Sequence, residues 1–119
     1  MNALWVFLGG GLGALCRFGL VSAVTPLFET RFPLGILLCN LAGSFLLGLG
    51  MGYTQKSAPE WLSHALLIGF LGSFTTFSTF SYNTLQLFQD GAILLAFLNI
   101  LGSLLLALAL TWLGYQLVN

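Results

Sequence analysis

Six formal charges are spread over 119 residues, and where they fall decides what the chain can become. Arg17, Glu29, Arg31, Lys56, Glu60 and Asp90 leave four long apolar stretches between them. Residues 3–24 are interrupted only by Arg17, residues 32–55 carry no charge, residues 61–89 carry only His64, and residues 91–119 carry none. Each stretch reaches the roughly 20 residues needed to cross a hydrocarbon layer about 30 Å thick. Lipid offers no partner to an open backbone, so a spanning segment must close its hydrogen bonds within a helix or a closed barrel. A barrel needs alternating polar positions, and these stretches are apolar all round. The sequence therefore specifies an all-α membrane protein. Its four transmembrane helices fall at approximately 3–24, 33–54, 62–87 and 92–117, within one domain covering 1–119. Loops fall near 25–32, 55–60 and 88–91.

Composition removes whole classes of function. The chain is 58% hydrophobic and 5% charged, against about one quarter charged in an ordinary globular domain. Disorder and coiled coils are excluded, and no basic patch exists to meet nucleic-acid phosphates. A cleaved signal peptide predicts Lys or Arg ahead of the first apolar run; Met1 and Asn2 supply neither, and the run is too long. Cys16 and Cys39 fall inside predicted helices without a CxxC pattern or a His neighbour, so they read as small packing residues.

Orientation is almost unspecified. With four crossings, Lys56 lies on one side, whereas Arg31 lies on the other with Arg17 on its approach. This is no positive-inside bias, so insertion in both orientations, and with it an antiparallel dimer, becomes an expectation. Oligomerisation has separate support, because four short helices hardly enclose a pathway while shielding polar groups from lipid. Gly9 and Gly13 form a GxxxG pair, as do Gly48 and Gly52, and Ser103 and Ala107 form a small-xxx-small pair. Such spacing lets helix backbones approach closely in lipid.

The third helix does not read as a lipid-facing one. Ser73, Thr75, Thr76, Ser78, Thr79, Ser81 and Thr84 crowd hydroxyls into its second half. Gly72 to Thr76 falls near the bilayer midplane, and glycine followed by two β-branched threonines predicts an interruption there. A break at that depth is tolerated only facing protein or a wet cavity. It offers carbonyls from one half and amide donors from the other, which is how membrane proteins hold ions at the midplane. A straight glycine-containing helix is the plain alternative.

At 1.5 Å per residue, Asn40 and Asn99 each lie about 10 Å into their helices from the first-loop side, as does Phe80, with Phe77 and Ser103 near 15 Å. Amide donors replace an anion's hydration, and a phenyl edge carries partial positive potential. The other reading is that the amides tie helices together and the rings are core; spacing alone does not choose. No carboxylate lies within a span, which removes the group that proton-coupled antiporters need. His64 sits at a helix start and reads as interfacial. With no nucleophile–base pair and no metal-binding cluster, the chain reads as a non-enzyme.

Residues 13–18 (GALCRF), 40–45 (NLAGSF), 72–81 (GSFTTFSTFS) and Gly102-Ser103 resemble the Fluc/CrcB fluoride channels. The likeness runs through all four helices in order. It implies a dual-topology antiparallel homodimer in the bacterial cytoplasmic (inner) membrane, with two fluoride pores exporting the ion passively. On that resemblance Asn40 donates to fluoride, Phe77 and Phe80 are the pore rings, and Ser103 faces the pore. Ser78 and Thr79 match a polar track of hydroxyls. The carbonyls of Gly72 and Thr75 from both subunits would hold a structural Na⁺, and Arg17 matches a first-helix arginine of structural or vestibule role. The chain departs from the pattern at Ser73, Asn83 and Ala107, where many members have glycine, glutamate and, in some, a hydroxyl. Two other readings stay open: a small multidrug-type proton-coupled exporter, which lacks its required intramembrane acid here, and a non-conducting partner of a homologous chain.

Overall fold

The computed structural model describes residues 1–28 and 30–119. Glu29, assigned to the first loop by the sequence, lies outside the described residues. Helix α1 (Asn2–Val24) runs into a short 3₁₀ turn, Thr25–Leu27, opened by Pro26, and α2 covers Leu34–Ser57. The third span, Glu60–Gln89, has two parts. Its first part, α3 (60–74), begins as α-helix at Glu60–Ser63, widens to π-helical turns over His64–Leu71 and closes with Gly72–Phe74. Its second part is α4 (Phe77–Gln89), and α5 (Ile93–Val118) is the last span. Among the described residues four spans are thus long and apolar enough to cross a membrane; the 26 residues of α5 reach about 39 Å.

The turn between α4 and α5 is set by Gly91, at φ 77°. This left-handed conformation carries almost no penalty for glycine. It lets Ala92 N–H reach Leu87 C=O at 2.8 Å and Gly91 N–H reach Phe88 C=O at 3.1 Å, closing the last turn as a Schellman motif.

Two helix pairs make up the bundle, α1 against α3 and α2 against α5, and both are built at glycines. Gly9 and Gly13 on α1 are buried against the backbone of Ala65 and Phe70, while Gly69 on α3 faces back toward Val6 and Gly10. Gly48 and Gly52 on α2 are buried against Thr111, Tyr115 and Val118, and Gly114 on α5 packs on Phe45, Gly48 and Leu49. Lipid supplies no hydrophobic drive between helices, so association depends on close packing and interhelical hydrogen bonds. Small residues supply the first. Ser73 Oγ donates to Gly10 C=O at 2.7 Å across one crossing, and Thr111 Oγ1 donates to Ser44 C=O at 3.1 Å across the other.

The interior is small and partly polar. Its largest fully buried side chains are Asn99 and Cys39, with Thr76, Thr84 and Ser103 also buried. Leucines such as Leu104, Leu105 and Leu108 are exposed on the outside, the distribution expected when the solvent is hydrocarbon. One end of the bundle joins the N-terminus, second loop and C-terminus. There Asn2 Nδ2 donates to Glu60 Oε1 at 3.1 Å, Trp5 and Trp61 lie 5.0 Å apart, Lys56 Nζ donates to Val118 C=O, and Tyr115 OH donates to Gln55 Oε1 at 2.9 Å. Indole rings at that level match the headgroup region.

A Cβ at Gly48 would collide with the Thr111 carbonyl and stand 2.9 Å from Tyr115 N, whereas one at Gly19 would meet nothing within 4 Å. Gly48→Ala is expected to lower stability by about 1–3 kcal/mol. Gly19→Ala should be neutral or gain up to about 1 kcal/mol. Equilibrium unfolding in detergent micelles measures both.

Candidate functional site at the interrupted third span

Helical structure stops at Phe74 and resumes at Phe77. Thr75 is extended at φ −84°, ψ 155°, and Thr76 at φ −148°, ψ 125°. Two extended residues inside a spanning segment strand several peptide groups, and the structure shows where they go. Asn40 on α2 clasps Thr76 from both sides: Thr76 N–H donates to Asn40 Oδ1 at 2.8 Å, and Asn40 Nδ2 donates to Thr76 C=O at 3.2 Å. The Thr76 hydroxyl caps α4 by accepting from Thr79 N–H at 3.2 Å, the usual service of an N-cap threonine. On the other side of the break, Leu71 C=O accepts from both Thr75 N–H at 3.1 Å and Thr75 Oγ1 at 2.9 Å.

The Gly72 and Thr75 carbonyls are among those that the break leaves without their helical donors. The amide that would close on Gly72 C=O belongs to Thr76 and is held by Asn40. The amide four residues after Thr75 belongs to Thr79 and is held by the Thr76 hydroxyl. Conversely, the first N–H groups of α4 point back toward the break with the positive end of its dipole.

A cleft of about 310 Å³ opens beside the break. It brings together Asn40, Gly72, Thr75, Phe77, Phe80 and Ser103, and none of its described lining residues is charged. Asn40 has two N–H groups; one is spent on Thr76 and the second remains for the cleft. The Phe77 and Phe80 rings lie 5.7 Å apart, tilted by 40°. Phe77 is 80% exposed, so among the described residues nothing covers that flank of the cleft.

Three expected site residues stand elsewhere. Thr79 lines a neighbouring cleft of about 310 Å³ with Asn83 and Arg31, and the two clefts are joined by the Thr76 and Thr79 hydroxyls, 3.3 Å apart. Ser78 is exposed, its hydroxyl 3.4 Å from that of Thr76. Arg17 is half-buried on α1 and lines neither cleft. Residues that sequence reasoning did not single out as site residues are Thr76 itself and Gly43, where a Cβ would collide with Thr75. The spacing of Thr76 and Thr79 after a glycine-containing apolar run is a helix-start pattern and was the available signal for Thr76. Among the described residues no cluster of three or more His, Cys, Asp or Glu could hold a metal ion.

The fold and site define a multi-pass, all-helical membrane protein with an uncharged, hydrogen-bonding cleft at an interrupted span. The family profile described as "CrcB-like protein, Camphor Resistance (CrcB)" matches residues 4–115, and the chain belongs to that family. It is 49% identical over 118 residues to the fluoride-specific ion channel FluC of Geobacter sp. (strain M21), covering 98% of this chain and 95% of the relative. It is 48% identical over 118 residues to the FluC of Citrifermentans bemidjiense, with the same coverages. The FluC of Shewanella amazonensis is 44% identical over 120 residues, again with 98% and 95% covered.

Asn40→Ala removes both hydrogen bonds to a buried backbone unit. Each stranded group costs about 1–3 kcal/mol. Unfolding of Asn40→Ala in micelles is therefore expected to show a loss of about 2 kcal/mol or more; a loss below about 0.5 kcal/mol would contradict the clasp.

Proposed function

We propose that the chain is a fluoride channel, conducting the ion passively down its electrochemical gradient out of a bacterial cytoplasm across the inner membrane. The observation that carries this reading is an uncharged cleft that brings together the second Asn40 N–H, the Phe77–Phe80 ring pair and the Ser103 hydroxyl. A small anion sheds its water only where donors replace it. Amide N–H, hydroxyl, the first N–H groups of α4 and positive ring edges are all donors of that kind. A larger halide makes the same contacts at poorer distances. Relatives 44–49% identical over nearly their whole length bear the name fluoride-specific ion channel, which supports the same reading. The cleft's lack of any carboxylate argues against proton-coupled exchange.

The working unit on this reading is an antiparallel homodimer. The equal cation count at the two ends supports two insertions, and the uncovered flank at Phe77 requires another surface to complete a pore. The break near the bilayer midplane then faces its counterpart. A Na⁺ ion fits there: Gly72 and Thr75 carbonyls, freed of their helical donors, are hard oxygen ligands, and two copies double their number. Bound, it would fix the two breaks against each other electrostatically. Ser78 and Thr79 continue the hydroxyl path from Thr76 toward the neighbouring cleft, where Arg31 and Asn83 stand. Arg17, which lines neither cleft, is assigned a structural role on α1 in this reading.

The test is efflux from liposomes reconstituted with the full chain, read by a fluoride electrode and, in parallel, a chloride electrode. Fluoride should leave without any imposed proton gradient, and chloride should not. Phe80→Ile, which keeps bulk but removes the ring, should slow fluoride efflux by at least about tenfold, equivalent to about 1.4 kcal/mol. Equal halide responses, a strict need for a proton gradient, or wild-type flux in Phe80→Ile would overturn the reading.

A further inference from the structure

Asn99 is 1% exposed, among the most deeply buried side chains of the molecule, and it lies outside the cleft. Its partners form a chain of fixed polarity. Thr84 Oγ1 donates its one proton to Phe80 C=O at 2.8 Å, so toward Asn99 it can only accept. Asn99 Nδ2 donates to it at 2.9 Å. That assignment turns Asn99 Oδ1 toward Ser103, and an amide oxygen only accepts. Ser103 Oγ therefore donates to Asn99, over a long 3.4 Å. Two residues of the cleft, on different helices, are tied to one buried amide.

We propose that Asn99 and Thr84 are positioning residues for the pathway. Resting on the channel reading above, they hold the Phe80 turn of α4 in register with Ser103 on α5, and they keep the Ser103 O–H pointed at Asn99 Oδ1 between ions. The two tight links, 2.9 and 2.8 Å, fix the helix carrying the ring. The loose link, 3.4 Å, leaves the Ser103 O–H able to swing from Asn99 to an arriving anion and back. Hydrogen bonds beyond about 3.2 Å are weak, so the swing sacrifices little. A tightly held serine would present lone pairs to the anion and repel it; a serine with no partner would have no fixed resting position.

The experiment compares fluoride efflux per reconstituted chain for wild type, Thr84→Val, Thr84→Ser, Asn99→Ala and the Asn99→Ala/Thr84→Val double variant, with unfolding midpoints in detergent. Thr84→Val keeps the shape of the side chain and removes both hydrogen bonds. It should slow efflux about fivefold or more, the loss of about one hydrogen bond's worth of positioning. Thr84→Ser should restore the rate to within about twofold of wild type. The double variant should be no slower than the slower single variant, because the two residues act as one unit. Wild-type flux in Thr84→Val, equal slowing in Thr84→Ser, or efflux that merely follows the unfolding midpoint would overturn the proposal. A wild-type chain that moves no fluoride would instead defeat the channel reading itself. Should Thr84→Val not fold, the wild-type Asn99 side-chain amide decides: the relay requires its hydrogen toward Thr84 to resist exchange in heavy water by NMR, and rapid exchange would overturn it.

Discussion

An unpaired peptide group in hydrocarbon costs several kcal/mol, and the interrupted third span is possible only because Asn40 meets that cost. One side chain, an acceptor and a donor a carbon apart, takes the place of the two backbone partners that Thr76 loses on leaving the helix. Everything else at the site follows from this substitution. Thr76 is freed to cap α4, the capped helix aims its first N–H groups at the break, and the amides diverted to Asn40 and Thr76 leave the Gly72 and Thr75 carbonyls open. A charged residue would supply stronger bonds at the same place but would carry a net charge into the cleft. A neutral amide satisfies the backbone and leaves the local field to dipoles.

The same economy governs packing. A soluble domain of this size separates polar outside from apolar inside; here the contrast is between small inside and large outside. Glycines at both helix crossings let backbones touch, and serine and threonine hydroxyls donate across the contact to carbonyls of the facing helix. Close backbone approach does in lipid what a leucine core does in water, and it leaves room for a cleft lined by Asn40, Ser103 and the two rings.

How much of this the sequence disclosed varies by residue. Charge placement was enough for the four spans, because a charge inside hydrocarbon is costly and a run of about 20 residues without one is what a crossing helix requires. The GxxxG pairs announced close approach, yet not its partners: Gly69 and Gly114 lack a glycine four residues away and became legible only once the helices were side by side. Asn40 and Asn99 looked equivalent by depth and are not. Asn40 meets an open backbone, whereas Asn99 meets Thr84, and depth alone does not tell a partner in the extended break from one on α4. Thr79 and Phe80 are neighbours in sequence but about 100° apart around the helix, so one turns to the second cleft while the other lines the first. Nor did spacing disclose the exposure of Phe77, which could be read as core or pore and stands largely uncovered in the chain.

That uncovered flank has a consequence for how the protein comes into being. On the dimer proposed above, a copy newly released into the bilayer would wait with the Phe77 flank of its cleft uncovered until it met a second one. Encounter is second order: halving the number of copies per unit area quarters the meetings. On that reading, cells making very little of this chain would hold a reservoir of unpaired copies, and the onset of conduction with rising synthesis would be steeper than linear.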